Sequence, residues 1–86
     1  MNVKFAVGKE HDVIAVRVEV KRYDDGICFF IMGEYRDNSY YGYTWEPISC
    51  FLNDADAALD YAEELQKMIS AEKKCHSADL SCEVLT

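Results

Sequence analysis

Between Val13 and Met32 the chain alternates in twos. Ile14, Val16, Val18 and Val20 are apolar, and Arg17, Glu19 and Lys21 stand between them. That is the pattern of a strand with one buried face. The run stops at Tyr23-Asp24-Asp25-Gly26 and resumes as Ile27-Cys28-Phe29-Phe30-Ile31-Met32. Asp-Gly between two such runs marks a tight hairpin, because glycine readily takes the positive φ of a type I′ turn. With Asp25-Gly26 as the two-residue loop, Val20 falls opposite Ile31, Val18 opposite Gly33 and Val16 opposite Tyr35. Arg17 then meets Glu34 as a charge pair on the other face. With Asp24-Asp25 as the loop the register moves, but each residue keeps its face. Phe30 and Met32 fall opposite Ile31, so the second face is not purely polar.

The same periodicity places the remaining elements. Val3, Phe5 and Val7 alternate with Asn2, Lys4 and Ala6, a first strand, and Gly8 to Asp12 is a connection short enough for a hairpin. Arg36 to Gly42 has turn composition. Tyr43 to Glu46 resumes a strand that Pro47 should shorten or confine to a sheet edge, since proline donates no ladder bond. Ile48, Cys50, Phe51 and Leu52 lead into a helix starting at Asn53 or Asp54, either of which can cap it. Asp56, three residues after Asn53, makes an imperfect capping box. Ala55, Ala58, Leu59, Ala62, Leu65 and Ile69 recur at three- and four-residue spacing, with Tyr61 and Met68 at the stripe margin. A helix reaching Lys74 is about 30 Å long, enough to cross a four-stranded sheet. His76 to Asp79 reads as a loop, and Leu80, Cys82 and Val84 as a last short strand. The expected fold is one α+β domain over residues 1–86: an antiparallel sheet of four or five strands with one amphipathic helix on one face, in the order β-β-β-β-α-β.

Charge then narrows the function. The 86 residues hold 9 Lys+Arg and 16 Asp+Glu, a net charge of −7. The excess falls after Arg22, because the first strands are net basic and the helix is strongly acidic. Phosphate contacts need Lys and Arg, so direct nucleic-acid binding is disfavoured. A basic protein surface is the partner that such a field attracts. No apolar run nears the roughly 20 residues of a membrane span, and the N-terminus has no secretory h-region. The expected location is the cytoplasm, and the cysteines Cys28, Cys50, Cys75 and Cys82 are expected to be free thiols there.

Catalytic chemistry finds little support. Cys75-His76 with Cys82, completed by Cys28 or Cys50, has the residue types of a zinc site but not its two-to-four-residue spacing. Adjacent Cys75 and His76 rarely point at each other, as a thiol–imidazole nucleophile requires. None of the 4 glycines forms a phosphate-cradling loop. No enzyme activity, metal or cofactor is expected.

Binding chemistry is better represented. Tyr35, Tyr40, Tyr41, Tyr43 and Trp45 are interleaved with Asp37, Asn38, Ser39 and Gly42. Tyrosine offers a large contact area with few torsions to freeze, and Ser, Gly and Asn supply adaptable polar contacts. Tyr40, Tyr41, Tyr43, Trp45 and Asp37 are the first candidates for a partner surface. The carboxylates Asp56, Asp60, Glu63 and Glu64 on neighbouring helix turns are the second. In size, charge and lack of catalytic motifs the chain resembles phage-encoded anti-defence proteins, anti-CRISPR inhibitors included. No motif ties it to one member, so no residue roles are carried over. The resemblance implies an inhibitor in the host cytoplasm, whose carboxylates stand where phosphates meet Lys and Arg. A toxin-immunity protein, or an accessory homodimer burying Phe30 and Met32, is the alternative.

Overall fold

The computed structural model describes residues 1–37 and 42–77, and the side chains among these other than those of 73–77. The described residues form a four-stranded antiparallel sheet with one helix. The elements are β1 (Asn2–Lys4), β2 (Glu10–Tyr23), β3 (Gly26–Asp37), β4 (Gly42–Leu52) and α1 (Ala55–Ser77), and the strands lie in sequence order. The expected last strand at Leu80 to Val84 lies outside the described residues, as do Tyr40 and Tyr41. The helix runs past Lys74 through His76 to Ser77, where a loop was expected.

The hairpin adopts the Asp24-Asp25 register. Tyr23 pairs with Gly26, Val20 with Phe29, Val18 with Ile31 and Val16 with Gly33. The reason lies outside the hairpin. Gly26 has φ 152°, and a Cβ there would sit 2.5 Å from Asn53 Oδ1. Asn53, at φ 56°, holds the strand beyond it from both sides. Its amide donates to the Ile27 carbonyl (2.7 Å), and its Oδ1 accepts from the Ile27 amide (2.8 Å). Asp54 then caps the helix, its Oδ1 accepting from the Ala57 amide at 3.0 Å. The bracket therefore sets the hairpin end and the helix start together.

Two bulges correct the simple alternation. One lies between Val13 and Ala15, so Ile14 is the extra residue and Val13 takes the core position, 1% exposed. The other lies where Ile31 pairs with Ser49 and Met32 with Pro47. The extra residue there, Ile48, turns into the core. Pro47 sits on an edge strand as expected, but the bulge lets β4 continue to Leu52 instead of stopping. β1 is shorter than expected because Phe5 leaves it in a turn, with its amide donating to the Lys9 carbonyl at 2.8 Å.

The core lies between the sheet and the helix: Val3, Phe5, Val13, Ile31, Tyr35, Ile48, Ala58, Leu65 and Ile69. Ala58 is fully buried, since a small side chain lets the helix approach closely. Ala55 and Leu59, expected in the buried stripe, are exposed. The helix starts beside Ile27, and farther along it Glu72 meets the Met1 amine (3.0 Å), so it crosses the sheet from its β4 side toward β1.

Two substitutions test this account. Gly26→Val should lower stability on the order of 2 kcal/mol, through the strained φ and the clash with Asn53. Gly33→Ala should cost about 1–3 kcal/mol, because its Cβ would lie 2.7 Å from Ile48 Cδ1 and 3.0 Å from Phe5 Cζ. Urea midpoints that match the native chain would refute both.

Candidate functional site

The helix positions the acidic candidates. At about 100° per residue, Asp56, Asp60, Glu63 and Glu64 lie opposite Ala58, Leu65 and Ile69. All four are exposed. Among the described residues, Lys67 pairs with one of them, its Nζ 3.9 Å from Glu64. The Asn53 bracket adds a feature that sequence spacing could not show. It sets the exposed turn residues Asp24 and Asp25 beside the helix start, next to Asp54. Exposed Arg22 precedes that turn on β2, while Lys21 lies on the other face with its Nζ 5.6 Å from the Phe30 ring centroid.

Tyr43 and Trp45 occupy the other layer. Trp45 pairs with Glu34 and Tyr43 with Arg36, on the sheet face away from the helix. Tyr43 is 61% exposed. Trp45 is half-buried beneath the Arg17 guanidinium, 4.2 Å from the ring centroid, a cation–π contact. Arg17 therefore does not pair with Glu34. It stands against Met32, reaches across β3 to Trp45 and bonds Glu19 at 2.8 Å. Met32 beneath this span is buried. Tyr43 and Trp45 thus face away from the helix carboxylates and cannot form one flat surface with them.

A third feature escaped the sequence reading. A concavity of about 430 Å³ is lined by Val7, Lys9, His11, Tyr35, Asp37 and Glu46. The β1–β2 turn builds it by folding Phe5 against Tyr35, with ring centroids 5.4 Å apart. His11 stacks on Tyr35 at 3.7 Å and 7°. Burial pushes the Tyr35 hydroxyl above its ordinary pKa, helped by its hydrogen bond to the Glu46 carboxylate and by the charge of Asp37. No local motif signals this site, because its residues come from a turn and three strands. Among the described residues, Asp37 is the one partner-surface candidate that belongs to it.

Cysteine chemistry divides by burial. Cys28 is buried and Cys50 exposed, both as free thiols. Burial pushes the Cys28 thiol up, as does its contact with Cys50. Among the described residues no group of three His, Cys, Asp or Glu could hold a metal ion. The side chains of Cys75 and His76, and all of Cys82, lie outside the described residues. No helix among the described residues is long and apolar enough to cross a membrane.

Tyr35 makes a pH prediction. A proton held more tightly in the folded state leaves stability unchanged below the ordinary tyrosine value, 10.0. Stability is then lost as pH rises from there toward the folded-state pKa. Tyr35→Phe should reduce that alkaline loss, seen as a smaller fall in melting temperature above pH 10. An equal fall in both proteins would refute it.

No protein-family model, curated protein or solved structure matches the chain, so its function is read from its own geometry.

Proposed function

We propose that this is a small acidic protein-binding module that lays the outer face of α1 against a basic surface of a protein partner. The supporting observation is the stripe of Asp56, Asp60, Glu63 and Glu64, exposed along two helix turns, with Asp24 and Asp25 beside its start. The i,i+4 neighbours Asp56–Asp60 and Asp60–Glu64 repel, which costs the helix some stability. Opposing Lys and Arg side chains relieve that repulsion and form charge-assisted bonds like those they make to phosphate. The reading is an inhibitor that occupies a nucleic-acid-binding surface, of the phage anti-defence or anti-CRISPR type. A role without catalysis, cofactor or direct nucleic-acid contact accompanies it. Tyr43, on the opposite layer, serves a different contact from the helix. The alternative of a homodimer closed over Phe30 and Met32 is weakened by Met32, which the chain already buries for itself.

The test is competition. Added to a panel of nucleic-acid-guided effector complexes, the native chain should displace nucleic acid from at least one. Asp60→Lys and Glu64→Lys should each slow association severalfold at low salt. The difference should close near 1 M salt, where the Debye length is about 3 Å. Tyr43→Ala should leave that association rate unchanged. Association indifferent to salt and to both charge reversals would remove the reading.

A further inference from the structure

The two outer edges of the sheet are built differently. On β4, Pro47 offers no amide, Ile48 is bulged, and the Pro47 carbonyl already accepts from the Ala6 amide at 3.1 Å. That edge resists strand addition. On β2, β1 covers only Glu10 to Asp12, and the Met1 carbonyl accepts from the Val13 amide at 2.8 Å. Among the described residues no backbone bond reaches that edge beyond Val13. From Ala15 to Tyr23 the strand carries no proline and no further bulge.

Bond direction along this edge follows from the ladder. Antiparallel pairs alternate between bonded and non-bonded. Tyr23 and Gly26 close a two-residue turn, so their pair is bonded. By alternation Lys21, Glu19, Arg17 and Ala15 bond to β3. Val16, Val18 and Val20 therefore turn their N–H and C=O groups outward. Their side chains lie on the helix side of the sheet, and Val20 is 60% exposed. The helix margin above them is apolar too. Tyr61 packs on Phe51 of β4, which makes the opposite margin, where Leu59 is 53% exposed, the one toward β2.

We propose that this edge pairs with the same edge of a second copy of the chain, antiparallel about a two-fold axis at Val18. The edge is complementary to itself in that register. Val16 meets Val20 of the second copy, Val18 meets Val18, and Val20 meets Val16, all through outward backbone groups. On the other face Arg17 meets Glu19 and Glu19 meets Arg17 across the axis, in the non-bonded pairs where side chains lie closest. Sliding by one pairing step in either direction sets Arg17 against Arg17 or Glu19 against Glu19. A register centred on Val20 pairs Glu19 with Lys21 but leaves Val18 opposite Arg22, losing the valine row. The resulting dimer joins the sheets into one, with both helices on one face and their carboxylates pointing away from it.

The experiment is mass determination in solution by sedimentation equilibrium, which needs no other partner and so succeeds or fails apart from the proposed function. The native chain should show twice its chain mass. Arg17→Glu sets Glu against Glu across the axis, and Glu19→Arg sets Arg against Arg, so each alone should be monomeric. Mixed in equal amounts, the two variants should form a heterodimer, because every cross-axis pair is again of opposite charge. Pairing on mixing also shows that both variants are folded. A monomeric native chain would overturn the proposal and leave the edge to a strand of another protein. So would a dimer indifferent to Arg17→Glu, or variants that fail to pair when mixed.

Discussion

The core closes over Gly33. Ile48 and Phe5 approach it so closely that a Cβ would meet them at 2.7 and 3.0 Å. Ile48 reaches that position because β4 is bulged, and Phe5 because the chain turns out of β1. Phe5 in turn packs edge-on against Tyr35 and His11. The shape of one end of the sheet, including the concavity around His11, thus depends on a missing side chain in the middle of β3. Packing interiors have little slack, so a single added carbon there must displace a neighbour.

At the other end of the sheet, polar bonds do the equivalent work. Asn53 takes a left-handed backbone conformation and satisfies both backbone groups of Ile27. That ties the helix start to the hairpin and gathers carboxylates from two distant stretches of chain. Among the described residues the far face of the sheet carries no helix. Arg17 partly compensates by lying over Trp45 and shielding Met32. Local electrostatics follow from this division: a carboxylate stripe on one layer, and a face with cationic and aromatic groups in contact on the other.

Strand edges complete the picture of what this molecule offers to others. An unpaired edge presents backbone groups that water satisfies until another strand does so. β4 blunts its edge with proline and a bulge, whereas among the described residues nothing pairs with the alternating valines and charges of β2 beyond Val13 on that edge. The acidic helix and the open edge are separate resources, since one acts through long-range charge and the other through directional bonds.

The order of the strands in the sheet came only from the structure, whereas the α+β class, the central hairpin with its facing, and the helix were legible in the sequence. Each is written in local periodicity, of two for Val16 to Val20 and of about 3.6 for Ala58 to Ile69. The outward direction of Asp56, Asp60, Glu63 and Glu64 followed from the same period. Register, and core membership at the bulges, were not legible. Val13 rather than Ile14 is buried, and Ile48 is swallowed by β4, because a bulge shifts alternation by one without changing composition. The turn formed at Asp24-Asp25 because Gly26 is needed against Asn53, a contact 27 residues away in sequence. The nearness of Asp24 to the helix, the stack of His11 on Tyr35 and the separation of Tyr43 from the carboxylates were also decided only in three dimensions. Each joins residues from different elements, and no local pattern encodes which element will lie across which.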